Sequence, residues 1–167
     1  MELAGHAAEL GDPDEAETIY RDALQLTEAL GARDQHTGEA HLRYGAFLAH
    51  AERADEARPH LEEALAVGEA ADSAGLKVLA LLHLAKLGDR SAEDAVATFE
   101  TDGHLVGHGD RIDALHMLYQ LTGDKRNLEA AYELLMFFHD HAPDENKAST
   151  LTAVRLHRDV MEARRVT

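Results

Sequence analysis

The sequence predicts an all-α protein, an α-solenoid built from antiparallel helix pairs. Two neighbouring segments, residues 38–51 and 54–71, each place apolar or small residues at positions i, i+4, i+7, i+8 and i+11. A segment with this spacing forms a helix with a single apolar stripe. A short polar break around Arg53 separates the two segments, so the helices fold back on each other. Such a pair cannot bury both stripes alone, and the pattern therefore predicts further copies beside it.

The same offsets recur before and after this pair. Ahead of it they are occupied by Leu3, Ala4, Ala7, Gly11, Ala16, Tyr20, Ala23 and Leu24. Near the other end they are occupied by Leu115, His116, Tyr119, Gly123, Leu128, Tyr132, Leu135 and Met136. We therefore expect a single domain over residues 1–167, with approximate repeats at 1–35, 36–72, 73–108 and 109–142 and a terminal helix over 145–164.

These residues resemble the tetratricopeptide repeat, whose pattern is Leu-Gly-x2-Tyr, then Gly, then Ala-x3-Phe/Tyr-x2-Ala. The interval from Ala16 to Ala57 is 41 residues, longer than the usual period of about 34. In this respect the chain is similar to the long-repeat variant of kinesin light chains and of many bacterial signalling proteins. The resemblance implies a right-handed superhelix of about nine helices and a scaffold that binds other proteins.

The first two helices are predicted from capping signals. The leading helix covers about Glu2–Leu10, and its shortness predicts a fragment cut from a longer protein or a domain that had helices in front of it. The second helix has Asp12 as its N-cap, Pro13 at the first helical position and Glu15 completing a capping box. Gly31 is expected to end it.

The middle of the chain contains the most apolar helix. Residues 74–87 carry apolar side chains on nearly every side, so this helix is expected in the interior of the stack. After Gly88, Ser91 is the predicted N-cap of a short helix that runs through Phe99. Three glycines make residues 101–110 the segment with the weakest helical signal.

The remaining helices are predicted over about Asp110–Thr122, Lys125–His141 and, beyond Pro143, Glu145–Arg164. The last of these has only a thin apolar stripe, formed by Leu151, Val154 and Val160. A thin stripe is typical of a terminal helix that is covered on one side.

Composition excludes several classes of function. The chain has 167 residues, no cysteine and a formal net charge of −16. The lack of cysteine excludes disulfides and thiolate chemistry, and the acidic balance argues against nucleic acid, which needs clustered Lys and Arg. There is no basic n-region, and the longest apolar run, Val78–Leu82, is too short to cross a bilayer. We therefore expect a cytoplasmic protein without a membrane or nucleic-acid partner.

The resemblance implies that the first helix of each repeat lines a concave groove for a protein or peptide. In the second, third and fourth repeats the matching positions are Glu39, Leu42, Arg43, Ala46, His50, Val78, Leu82, Lys86, Asp113, Met117 and Gln120. Their mixed polarity predicts an extended or helical peptide held by several modest contacts. The alternative for Leu42, Val78 and Leu82 is that they only pack neighbouring helices.

Several histidines are candidate metal ligands, which indicates an alternative to the interaction module. Nitrogen and oxygen ligand types lie at close spacing in the set Glu100, Asp102, His104, His108 and Asp110. These side chains are also compatible with a solvent-facing loop. The dipeptide His139-Asp140 resembles the paired metal ligands of the HD phosphohydrolases, for which His104 or His116 with Asp159 would be further ligands. A metal-dependent helical hydrolase is thus one alternative function, and a small-ligand sensor is another.

The expected function is a non-catalytic interaction module, one segment of a larger bacterial regulatory or signalling protein. The sequence contains no phosphate-binding loop, dinucleotide fingerprint or nucleophile elbow, so no cofactor is expected. Leu3, Ala7 and Leu10 form an apolar side on the leading helix. This side predicts a weak homodimer at neutral pH that strengthens as histidines protonate towards pH ~6.

Overall fold

The computed structural model describes residues 13–29 and 34–166, and every regular element within these residues is helical. The α-helices are α1 (Pro13–Ala29), α2 (Gln35–His50), α3 (Ala54–Ala70), α4 (Ala74–Lys86), α5 (Ala92–Asp102), α6 (His108–Thr122), α7 (Lys125–His141), α8 (Lys147–Thr152) and α9 (Arg155–Val166). A short 3-10 turn, Gly103–Leu105, follows α5. The predicted all-α fold is confirmed.

The chain divides into two compact units, Met1–Val106 and Gly107–Thr167. The first unit contains α1 to α5, and the second contains α6 to α9. The single domain and the repeat boundaries expected from the sequence stay predictions.

Consecutive helices of the first unit pack against each other, and α2 also packs against α4. The α2–α3 pair approaches closely at Gly45, where an added Cβ would lie 2.8 Å from Leu61 Cγ and 3.3 Å from the Ala57 carbonyl oxygen. Ala57 and Ala64 on the facing helix are fully buried. Small residues at the helix crossing, which the sequence pattern singled out, therefore let the two backbones come together.

Three successive turns of the first unit share one backbone geometry. After α2, α3 and α4 a residue in the left-handed region reverses the chain, namely Glu52 (φ 59°), Asp72 (φ 49°) and Gly88 (φ 80°). The amide that follows each of them donates to a carbonyl five residues earlier, at 2.9, 2.9 and 3.0 Å. These bonds satisfy carbonyls that the helix end would leave without partners, the arrangement called a Schellman motif.

Helix α4 is the most buried element, as its all-round apolar sequence predicts. Val78, Leu79, Leu82 and Leu84 are each at most 1% exposed. It is followed by α5, whose N-cap Ser91 accepts a hydrogen bond from the Asp94 amide at 3.1 Å. The cap predicted at this serine is therefore confirmed.

The second unit is built on the α6–α7 pair, with α8 and α9 packed on α7. Gly123, in the left-handed conformation, ends α6, and Asp124 caps α7 by accepting from the Arg126 amide at 3.0 Å. Leu128, Leu135 and Val160 are at most 1% exposed and form its core.

The sequence prediction is wrong for the terminal helix, which is two helices. Helix α8 ends at Thr152 and α9 begins at Arg155. Side chains of α9 bind the carbonyls at the end of α8: His157 Nδ1 lies 2.6 Å from the Thr150 oxygen, and Arg158 donates to the Thr152 oxygen at 2.7 Å. These side chains replace the next backbone donors, and the helix stops there.

The prediction for residues 101–110 is also wrong in part. Helix α5 continues to Asp102, the 3-10 turn occupies Gly103–Leu105, and α6 already starts at His108. The glycines Gly107 and Gly109 flank the start of α6 without preventing it. Several other expectations fall outside the described residues: the leading helix Glu2–Leu10 with its dimer surface, the Asp12 cap and the Gly31 terminus.

Candidate functional site

The groove positions predicted on α2 and α4 divide into a buried and an exposed set. Leu42, Val78 and Leu82 are 3%, 1% and 0% exposed. Their side chains thus fill the space between helices, which is the alternative that the sequence left open for them. Their apolar surface is not offered to a ligand.

The polar positions face solvent. Arg43, His50 and Lys86 are exposed, and Glu39 and Ala46 are half-buried. These residues lie on α2 and α4, two helices of the first unit that pack against each other. We call the surface formed by Glu39, Arg43, Ala46, His50 and Lys86 the α2/α4 face. The exposed side chains of this face are polar, and two of them, Arg43 and Lys86, are cations. The chain as a whole carries a formal charge of −16.

A buried histidine lies beneath the α2/α4 face. His83 is 5% exposed, and its ring meets the His50 ring edge-on, with 6.2 Å between the centroids. Burial, together with smaller effects of the charges of Lys86 and Arg43, lowers the pKa of His83 to about 3. His83 is therefore neutral at pH 7, and the two cations, on different helices, both lie within electrostatic range of it.

His83 was not among the residues predicted from the sequence. Its spacing of three residues from Lys86 on a helix, which places both on one side, was the available signal. The signal could not be interpreted, because α4 is apolar on nearly every side. In such a helix the pattern does not indicate which side the histidine faces.

An aromatic and ionic cluster holds α1 against α2 beside this face. The Tyr20 ring stacks on Tyr44 with 5.8 Å between centroids and contacts Phe47 at 5.3 Å. The Tyr44 hydroxyl donates to Glu17 Oε1 at 3.0 Å and accepts from Arg21 Nε at 3.2 Å. These ring contacts help to hold α1 against α2, since aromatic pairs add to the energy of simple burial.

The pKa values in this cluster follow from its contacts. The hydrogen bond from Arg53 holds the pKa of Glu17 below its usual value, against a smaller opposing effect of burial. Burial raises the pKa of Tyr20, and the charge of Arg43 opposes this rise. Arg43 thus lies within electrostatic range of the cluster as well as of His83.

The groove positions predicted in the fourth repeat lie on α6, in the second unit. Met117 is 2% exposed, Asp113 is half-buried and Gln120 is exposed. Gln120 Nε2 lies 3.5 Å from Nε2 of the buried His116. Within this unit, Gln120 is the predicted groove residue with an exposed side chain.

The candidate metal ligands are not brought together by the described structure. Asp102 forms an ion pair with Lys77 at 2.9 Å, and Asp159 lies 3.6 Å from Arg155. His139 and Asp140 contact each other at 3.0 Å. Over residues 13–29 and 34–166, no group of three or more His, Asp or Glu side chains is arranged to hold a metal ion.

The other members of that set, Glu100, His104 and His108, are exposed, and Asp110 is half-buried.

Among the described helices, none is long and apolar enough to span a membrane.

Comparison with known proteins identifies one family. Residues 1–70 match the family model described as tetratricopeptide repeat. No curated protein and no solved structure matches the chain. The matched segment includes α1, α2 and α3 and therefore the α2–α3 pair on which the sequence prediction rested. The match over residues 1–70 supports the tetratricopeptide repeat family, which the sequence motifs also resemble.

Proposed function

We propose that this chain is a non-catalytic protein-interaction module whose α2/α4 face binds an acidic peptide segment. Tetratricopeptide repeats generally mediate protein–protein interactions. The finer proposal rests on the exposed Arg43, His50 and Lys86, which lie on the packed helices α2 and α4. The His50 ring meets the buried His83 ring between these helices. Cations presented by two neighbouring helices form a surface complementary to a carboxylate-bearing partner.

The chemistry of the α2/α4 face favours a polar partner over an apolar one. The apolar groove positions are buried, so hydrophobic anchoring has little surface there. Arg43, His50 and Lys86 also interact with other groups of the chain, and an incoming carboxylate would have to exchange these contacts. Modest affinity that falls with ionic strength is the expected result.

The resemblance supplies the wider setting of the proposal. We further propose that the module belongs to a larger bacterial regulatory or signalling protein in the cytoplasm. The long-repeat variant and the homodimer through the leading helix stay predictions.

Fluorescence anisotropy with a labelled eight-residue peptide rich in Asp and Glu tests the proposed function. The wild type should bind it more tightly than the matched peptide of Asn and Gln. The double variant Arg43→Glu, Lys86→Glu should weaken binding at least ~10-fold, because it replaces two attractive charges with repulsive ones. Arg165→Glu, an exposed arginine of the second unit, is the matched control and should bind as the wild type does.

Equal binding of the acidic and amide peptides, or an unchanged affinity in the double variant, would overturn the proposal. Circular dichroism of each variant at the assay temperature shows whether a loss of binding results from the changed α2/α4 face or from unfolding.

A further inference from the structure

Two histidines meet between the helices of the α2–α3 pair. His41 lies on α2 and His60 on α3, and their Nδ1 atoms are 2.9 Å apart. The ring centroids are separated by 5.1 Å and the ring planes are inclined by 33°. Both side chains are half-buried. Neither residue belongs to the α2/α4 face or to any set that the sequence singled out.

The contact requires that one ring donates a proton and the other accepts it. A neutral imidazole carries a hydrogen on one nitrogen and a lone pair on the other. One Nδ1 is therefore protonated and the opposite Nδ1 is not. The N–H of one ring is directed at the lone pair of the other, so a single proton lies between the two nitrogens.

The separation of the two nitrogens also suits a metal ion. Metal–imidazole bonds are about 2.0–2.1 Å long, so two nitrogens at right angles around one ion lie about 2.9 Å apart, and at the tetrahedral angle about 3.4 Å. Pivoting of the rings about their Cβ–Cγ bonds brings both lone pairs onto the ion. Neutral imidazole is a favoured ligand of Zn²⁺, Ni²⁺ and Cu²⁺.

We propose that His41 and His60 form a two-histidine site for a divalent transition-metal ion. The ion replaces the bridging proton, which moves from Nδ1 to Nε2 of the same ring, so that both Nδ1 lone pairs bind the metal. Water molecules take the remaining coordination positions. The ion would join α2 to α3 and stabilise the helix pair by binding the folded state alone.

The surroundings hold the two ligands in position. Both helix backbones are fixed by the tight contact of Gly45 with Leu61. The Tyr44 ring packs beside the His60 ring, with 4.7 Å between the centroids. In addition, the formal charge of −16 raises the local concentration of cations.

The expected affinity is that of two imidazoles, well below that of a four-ligand structural zinc site. Within the described residues, no third His, Asp or Glu completes the group. The order of affinity should follow the order of the transition metals, with Cu²⁺ above Ni²⁺ and Zn²⁺. Mg²⁺, which prefers oxygen ligands, should not bind there.

The test is thermal unfolding of the peptide-free protein in the presence of NiCl2, ZnCl2 or MgCl2, with EDTA as the metal-free reference. The Tm of the wild type should rise by several degrees with Ni²⁺ and Zn²⁺, saturably, and should not change with Mg²⁺. His41→Asn and His60→Asn should each lose most of that rise. His36→Asn, which removes an exposed histidine of the same helix, should keep it.

Equilibrium dialysis supplies a readout that does not depend on stability. Each of the two variants should bind one ion fewer per chain than the wild type and the His36→Asn control. Absence of a Tm rise in the wild type, or an equal rise and equal binding in all four proteins, would overturn the proposal. If one variant is unfolded in EDTA, the other still decides the question.

Discussion

Arg53 joins the turn after α2 to helix α1 through a two-pronged contact with Glu17. Its guanidinium donates to Glu17 Oε2 at 2.7 Å and to Oε1 at 3.1 Å. The same guanidinium also holds both oxygens of Glu56, each at 2.7 Å. One planar group thus links the turn of the α2–α3 pair to the preceding helix α1. The single ammonium of lysine cannot reproduce this geometry.

Arg53→Lys should therefore lower the Tm by a few degrees although the charge is unchanged. Arg126→Lys is the control, because that side chain is 90% exposed and its ion pair lies within one turn. Thermal unfolding followed by circular dichroism measures both. Equal Tm values for the two variants would mean that the fork geometry of Arg53 contributes nothing.

Gly45→Ala should destabilise the protein by about 1–3 kcal/mol, because the new methyl group overpacks the helix crossing. Its Cβ would lie 2.8 Å from Leu61 Cγ, too close for an ordinary contact. Gly109→Ala is the matched control, since nothing lies within 4 Å of the added Cβ. That change should be neutral or stabilising by up to about 1 kcal/mol. Urea unfolding gives both values, and a larger loss at Gly109 would contradict the packing.

His83 makes stability depend on pH in a predictable direction. In the unfolded chain it protonates near pH ~6.5, whereas in the folded protein burial delays this until its pKa of about 3. Between these values the unfolded state binds the extra proton, so falling pH favours unfolding by about 1.4 kcal/mol per pH unit. The stabilising effect of the neutral ring is complete above pH ~6.5 and is lost as the pH falls.

His83→Leu removes this proton uptake and should flatten the pH dependence of stability between pH 6 and 4.5. Urea unfolding at several pH values shows the slope. His36→Leu, which changes an exposed histidine, should leave the slope of the wild type intact. The same slope in all three proteins would show that His83 is accessible to protons in the folded state.

Two serines at equivalent helix starts should respond differently to alanine. Ser91 caps α5 by accepting from the Asp94 amide, whereas Ser73 precedes α4 without a side-chain cap hydrogen bond. Ser91→Ala should cost about 1 kcal/mol, and Ser73→Ala should cost clearly less. The midpoints of urea unfolding compare the two, with equal losses arguing against the cap.

The sequence predicted the helices that have explicit boundary signals. Gly123 followed by Asp124, with Pro143 beyond, places α7 at Lys125–His141, where the structure has it. Such signals act locally, through backbone dihedral angles and caps, and they are therefore readable from single residues. The break between α8 and α9 was not predicted, because His157 reaches a carbonyl seven residues earlier and no short-range pattern encodes that contact.

The candidate site was predictable to a lesser degree. The family resemblance implied groove positions that include Arg43 and Lys86 together with Leu42 and Leu82. Spacing does not distinguish a side chain that points to solvent from one that packs on the next helix, and burial made that distinction. The His41–His60 contact was out of reach, since it depends on the register between two helices.

The repeated turns after α2, α3 and α4 have a consequence for amide hydrogen exchange. Turn amides ordinarily exchange with solvent within seconds, yet here Arg53, Ser73 and Asp89 each donate to a helix carbonyl at 2.9–3.0 Å. Their protons are released only when the preceding helix end opens. In deuterated solvent these three connecting residues should retain their protons as long as the last turns of the helices, and so report the opening of each helix pair separately.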